Sequence, residues 1–327
     1  MRLSLIDFAT RHEGQSAAEA LAASVQLAQR ADNSGRFERI WYSEHHNMPS
    51  IVSSSPAVLI AHVAANTKTI RLGAGGVMLP NHSPLVIAEQ FGTLGELYPD
   101  RIDLGLGRAP GTDQVTLRAL RRDPRSSDNF PADVEELRGY LAGSTLIPGI
   151  NAYPGHGTRV PLYILGSSLF GAQLAAGLGL PYSFASHFSP HALQAAVAAY
   201  REQFQPSEDC PEPYVIAAAN AVAGDSTEHA EQVLESVLRD RVGALVAQNP
   251  RMRDRTFTPD ELDQLLQSPV GEQARSMLSY TAVGTTDDLR TWLERFAEHA
   301  DADEVIVAPN GSTTEQQLAT VEALAQV

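Results

Sequence analysis

Residues 70–109 read IRLGAGGVMLPNHSPLVIAEQFGTLGELYPDRIDLGLGRA. Residues 70–77 are rich in β-branched and glycine positions, 83–98 carry apolar side chains at helical spacing, and 102–106 are again a short apolar run. A strand, a helix and a second strand in that order form a crossover unit, which places the two strands parallel and side by side. The same alternation extends in both directions. Strands are expected at 3–8, 39–43, 70–77, 102–106, 161–165, 181–185, 214–222 and 304–308. Helices are expected at 17–34, 55–66, 83–98, 132–142, 169–178, 190–204, 226–247, 285–299 and 313–325. Ser16, Ser189 before Pro190, and Thr313 with Gln316 three residues on supply helix-start signals. Eight strands with a helix after the eighth favour a (β/α)8 TIM barrel over a doubly wound open sheet. The expectation is an α/β fold in which residues 1–327 form a single barrel domain.

The composition is consistent with that size. The chain has 327 residues, 43% of them hydrophobic, enough for a large core. Its 39 acidic and 24 basic side chains give a net charge of −15, which opposes a nucleic-acid footprint. The single cysteine, Cys210, leaves no disulfide framework and no cysteine zinc site. No stretch approaches the length of an apolar membrane span, and the N-terminus lacks the pattern of a secretion signal, so the expected location is cytoplasmic.

Two stretches break the repeat. Residues 107–131 make a long connection after the fourth strand, and residues 249–283 intrude before the eighth; the second is a candidate lid. In a barrel of this kind the chemistry lies at the carboxyl ends of the strands. Four signals fall there. Glu44, His45 and His46 follow the strand RIWYS. Neighbouring side chains on an extended segment point to opposite faces, so one imidazole is expected at the mouth and the other outside it. A neutral imidazole suits proton transfer, although a strand-end histidine satisfied by hydrogen bonds has the same appearance. Gly75 and Gly76 interrupt the third strand where backbone can approach a flat ligand, or where the barrel simply bulges. Gly107 and Arg108 end the fourth strand and lack the spacing of a dinucleotide-binding loop. Gly166, Ser167 and Ser168 precede a helix, where amides and hydroxyls can meet a phosphate or cap the helix.

Taken in order, the EHH after strand two, LGAGGVMLPNHSP at strand three, LYPDRIDLGLGRAPG and the LGSS before a helix resemble the bacterial luciferase-like monooxygenase family, over most of residues 1–225. The resemblance implies a barrel that binds a reduced flavin, usually FMN, at its strand ends. It assigns His45 as the catalytic histidine, and Phe8, Glu44, Gly75, Gly76, Gly107, Arg108, Ser167 and Ser168 to the cofactor. Gly75 and Gly76 fall where the family often has a non-prolyl cis peptide. Gly107 replaces a cysteine and Gly166 a glutamate of the light-emitting catalytic subunit, which argues against light emission.

The implied activity is that of a flavin-dependent monooxygenase. It takes FMNH2 from a separate flavin reductase and uses O2 to oxygenate a small organic substrate, with no resident metal. Three alternatives stay open on the same barrel: hydride transfer with the deazaflavin F420, a metal-dependent hydrolase built on His45, His187 and Asp7, and a non-catalytic partner subunit. Apolar residues on the helices at 55–66 and 83–98, among them Val58, Leu59, Val63, Val86, Ile87 and Phe91, exceed what one inward stripe needs, and the resemblance implies dimerisation through these helices, so a homodimer is expected.

Overall fold

The strand and helix unit of residues 70–109 recurs around the chain in the computed structural model, which describes residues 1–109, 111–249, 251–252 and 255–327. The strands are β1 (Arg2–Asp7), β2 (Arg39–Tyr42), β3 (Arg71–Met78), β4 (Ile102–Gly107), β5 (Leu162–Gly166), β6 (Tyr182–Phe184), β7 (Val215–Ala223), β8 (Thr281–Gly284) and β9 (Glu304–Pro309). The helices are α1 (Ala17–Ser34), α2 (Pro56–Ala64), α3 (Pro84–Leu97), α4 (Gln114–Ala119), α5 (Phe130–Ala142), α6 (Leu169–Leu178), α7 (Leu193–Gln203), α8 (Thr227–Ala247), α9 (Pro259–Leu266), α10 (Pro269–Met277), α11 (Thr286–His299) and α12 (Thr314–Leu324). β1 to β7 pair in sequence, and β9 joins β7 to β1, so eight parallel strands close a TIM barrel with β8 outside it.

Local chemistry explains most element starts. Ser16 and Glu19 form a reciprocal capping box on α1, and Thr313 caps α12 through the Gln316 amide. One expected start differs: α7 begins at Leu193, and neither Ser189 nor Pro190 caps it.

The barrel interior is built in layers, because residues two apart on a strand face the same side. The lowest layer is ionic. The Arg39 guanidinium donates to both Glu304 carboxylate oxygens at 3.0 and 3.1 Å, and to Asp103 Oδ2 at 2.8 Å. It also reaches the Tyr163 hydroxyl at 2.7 Å, while Ser4 donates to Glu304 at 2.5 Å and Tyr214 at 2.6 Å. Arg71 pairs with the other Asp103 oxygen. Two residues further along the strands, Ile6, Trp41, Ile216 and Ile306 form an apolar layer beneath the mouth.

The C-terminal insertion is larger than its sequence suggests. α11 buries Leu289, Leu293 and Phe296 in the main core and is the crossover helix between β7 and β9. α8 does not join that core; Val233 and Val237 pack with Val222 and Leu278, and Val242 packs with Leu266 and Ala274. The helix at 226–247, expected to cover the barrel, therefore belongs to the insertion. Within 249–283, where a lid is expected, lie α9, α10 and β8, and Pro250, Arg253 and Asp254 fall outside the described residues. β8 pairs with residues 220–223 of β7, and the amide of Gly224 donates to the Gly284 carbonyl at 3.0 Å. The other expected insertion, 107–131, contains α4, and Pro110 lies outside the described residues.

Removing Arg39 would leave the buried Glu304 carboxylate without a cation and Asp103 with Arg71 alone. Arg39→Ala is expected to lower unfolding free energy by about 3–5 kcal/mol in urea titrations, and a loss below about 1 kcal/mol would contradict this account.

Candidate active site

β1 and β2 deliver the first cluster of the mouth. Phe8 follows β1 and stands between two imidazoles, its ring centroid 6.1 Å from that of His45 and 5.7 Å from that of His187. The His45 amide donates to the Ser53 carbonyl at 3.0 Å, and its Nδ1 lies 3.3 Å from the Ser43 hydroxyl, which leaves Nε2 for an incoming group. Burial pushes the His45 pKa down to about 4 against the weaker pull of Glu44. At neutral pH the ring is therefore uncharged.

Glu44 does something the sequence did not show. Its fully buried carboxylate accepts from His46 Nε2 at 2.8 Å, His82 Nε2 at 2.7 Å and the Met78 amide at 3.0 Å. Burial pushes this carboxyl up, but the three hydrogen bonds and the field of His82 outweigh it and hold the pKa below the usual range. The two adjacent imidazoles thus part: His45 stands beside Phe8 and His46 binds Glu44. Together Glu44, His46 and His82 tie the end of β2 to the end of β3. Their ligand atoms lie within 4.8 Å of one another, the one such set among the described residues. The hydrolase alternative, His45 with His187 and Asp7, does not assemble as a metal set.

The peptide between Gly75 and Gly76 is cis, and the β3–β4 register shifts between Ala74 and Val77. The packing below accounts for these glycines. A Cβ on Gly75 would lie 2.8 Å from Trp41, and one on Gly76 would lie 2.7 Å from the Gly105 carbonyl oxygen. Gly107 is less constrained; its Cβ would meet the flexible Met78 sulfur at 3.1 Å.

The second cluster joins β4 to α6. Arg108 lies with its guanidinium 4.3 Å above the Phe170 ring, which belongs to the first turn of α6. Ser168 occupies the N-cap position, yet its hydroxyl caps nothing, as is also true of Ser55 on α2 and Ser83 on α3, whereas Ser16, Ser226, Thr258, Ser268, Thr285 and Thr313 cap their helices. A helix start with free amides, the hydroxyls of Ser167 and Ser168, and an adjacent guanidinium form a chemically suitable phosphate cradle. The sequence-predicted residues are thus gathered on one rim in two groups, Phe8, Glu44 and His45 in one, and Arg108, Ser167 and Ser168 in the other.

The profile of the luciferase-like monooxygenase family matches residues 1–303. The chain belongs to that family. It is 45% identical over 322 residues to a luciferase-like monooxygenase of Escherichia coli (strain K12), covering 96% of this chain and 92% of that one. The crystal structure of apo-MsnO8 superposes with a TM-score of 0.86 at 33% identity, covering 99% of this chain and 96% of that one. Two more distant structures share the fold. The FMN complex of the oxygenating constituent of 3,6-diketocamphane monooxygenase, from Pseudomonas putida, has a TM-score of 0.75 at 15% identity, covering 100% of this chain and 97% of that one. An F420-dependent secondary alcohol dehydrogenase has 0.69 at 16%, covering 99% of this chain and 98% of that one. This luciferase-like protein is an enzyme, an oxidoreductase. No helix among the described residues is long and apolar enough to cross a membrane.

The two mouth imidazoles make stability pH-dependent. An unfolded histidine titrates near 6.5, whereas burial lowers His45 to about 4 and His187 to about 3. Between 6.5 and those values the unfolded chain binds protons that the folded one refuses, so stability is complete above 6.5 and lost as pH falls. At pH 5 the loss is about 2 kcal/mol per imidazole. Urea titrations at pH 7.5 and 5.0 should show a smaller acid loss in His187→Gln than in the unmodified protein, by about that amount; equal losses would refute it.

Proposed function

We propose that this luciferase-like enzyme is a flavin-dependent monooxygenase that takes reduced FMN from a separate flavin reductase in the cytoplasm and oxygenates a small organic substrate with O2. The observation that carries the reading is Arg108 lying against the uncapped start of α6, on the same rim as Phe8 and His45. A flavin bound there would supply the redox and oxygen chemistry.

The chain's own contributions follow from its residues. The amides that open α6, the hydroxyls of Ser167 and Ser168, and Arg108 would hold the phosphate. The strand end at Gly75 and Gly76, Gly107 and the Glu44 cluster would back the ring, while Phe8 supplies an apolar wall that excludes water. His45, neutral and free at Nε2, would accept or hold a proton beside it. The segment 249–283 would act as the lid.

Assembly as a homodimer is part of the proposal, on reduced grounds. Leu59, Val63, Ile87 and Phe91 are consumed by the chain's own core, which leaves Val58 and Val86 exposed on α2 and α3, with Leu97 beside them in sequence terms at the end of α3. Sedimentation at micromolar concentration should give twice 35.2 kDa, and the monomer mass would refute the dimer.

Anaerobic titration with reduced FMN and reduced F420 tests the cofactor. FMN should bind the more tightly, and binding of the deazaflavin alone would replace oxygenation with hydride transfer. Arg108→Ala should weaken FMN about tenfold or more while leaving riboflavin, which has no phosphate, unchanged. An equal loss for both flavins would remove Arg108 from the phosphate site.

A further inference from the structure

Four carboxylates are buried among the described residues: Asp7, Glu44, Asp103 and Glu304. A buried charge is ordinarily paired with an opposite charge or bound to a metal. Asp103 and Glu304 share Arg39 at the barrel floor, and Asp103 also holds Arg71. Burial raises the Asp7 pKa, which favours its neutral form. Glu44 differs from all three. It has no solvent exposure and no arginine or lysine partner among the described residues, and only imidazoles face its charge.

The geometry around this carboxylate is convergent and fixed. His46 Nε2 and His82 Nε2 both meet one oxygen, Oε1, at 2.8 and 2.7 Å, while the Met78 amide holds the other, Oε2, at 3.0 Å. The two rings come from separate elements. His46 follows β2; its amide donates to the Gly111 carbonyl at 3.5 Å and its carbonyl accepts from the Thr112 hydroxyl at 3.2 Å. His82 closes the 3-10 turn Leu79–Asn81 after β3, its amide donating to the Leu79 carbonyl at 2.9 Å. The two imidazole side chains are 17% and 29% exposed, so solvent reaches the outer side of a cluster whose inner member is sealed.

We infer that Glu44, His46 and His82 form a binding site for one divalent transition-metal ion such as Zn2+, separate from the phosphate cradle. Two imidazoles and one carboxylate are a recurrent donor set for Zn2+, whereas Mg2+ and Ca2+ are held by oxygen. Ligand atoms around a tetrahedral ion at about 2.0–2.1 Å stand about 3.3 Å apart. Each imidazole therefore swings away from Oε1 by about 0.5 Å, a small movement for a partly exposed ring. Each neutral ring carries its proton on Nδ1 and presents the Nε2 lone pair, so the rings stay neutral and no proton is lost. Water completes the fourth position on the exposed side. The ion supplies the formal cation that Glu44 lacks, and it ties the end of β2, the turn after β3 and the 107–131 connection into one unit. The inference does not rest on the monooxygenase reading, whose chemistry takes no step through this ion.

The untagged full-length protein, stripped with EDTA and dialysed, is titrated with Zn2+ by calorimetry, with and without FMN. One Zn2+ per chain should bind, Mg2+ should not displace it, and the thermal midpoint should rise with Zn2+ concentration. His46→Gln and His82→Gln keep an N–H donor for Glu44 but offer a poor ligand. Each should weaken Zn2+ at least about tenfold, whereas His229→Gln, on α8, should leave its affinity unchanged. Thermal melts establish which variants fold, and either of the first two is sufficient. If neither folds, crystals of the unmodified protein soaked in Zn2+ decide: the strongest anomalous peak at the zinc edge should lie between Glu44, His46 and His82. Absence of stoichiometric binding, unchanged affinity in a folded His46→Gln or His82→Gln protein, or a strongest peak elsewhere would overturn the inference. Zinc binding without FMN binding would leave the metal site standing and remove the flavin reading, and FMN binding without zinc would do the reverse.

Discussion

Arg39 holds the barrel shut. It sits on β2, yet its hydrogen bonds reach Glu304 on the last strand, Asp103 on β4 and Tyr163 on β5, and Glu304 in turn collects Ser4 from β1 and Tyr214 from the approach to β7. Burying these charges is costly and is offset only while every partner is in place. The network therefore specifies register more than it adds stability: a slip of one residue on any of these strands would turn a charge or one of its hydroxyl partners outward. With the floor occupied by this layer and the next filled by Trp41 and three isoleucines, the carboxyl ends of the strands are left as the open end of the barrel.

The barrel itself was legible in the sequence because its signals are local. Alternation and length identify eight strands, and the residues at strand ends follow from them, which is how Phe8, Glu44, His45, Arg108, Ser167 and Ser168 can be named. What was not legible depends on register between distant segments. His46 and His82 meet only because Glu44 accepts from both. The Gly75 and Gly76 positions suggested room for a ligand, whereas Trp41 and the Gly105 carbonyl below them suffice to require glycine. β8 is four residues long and reads as part of a loop. α8 has an amphipathic pattern, but such a pattern does not say which layer the apolar face meets, and this one meets α9, α10 and β8.

Charge at the mouth is distributed in a way the overall balance conceals. The imidazoles of His45 and His187 are kept neutral by burial, and the Glu44 carboxylate is kept ionised by three hydrogen bonds. Formal positive charge beside the start of α6 is then left to Arg108, which follows β4. An acidic protein can in this way present positive charge at a chosen point without attracting polyanions to its surface.

The hydrogen bond from the Gly224 amide to the Gly284 carbonyl joins the two ends of the excursion that carries α8, α9, α10 and β8. Everything between those glycines leaves the barrel and returns at the same point of one strand edge, with apolar clusters of its own. It is therefore a cassette. Lengthening, shortening or replacing it leaves strand order, closure and the ionic floor as they are, so this part of the chain can vary without passing through an unfolded barrel.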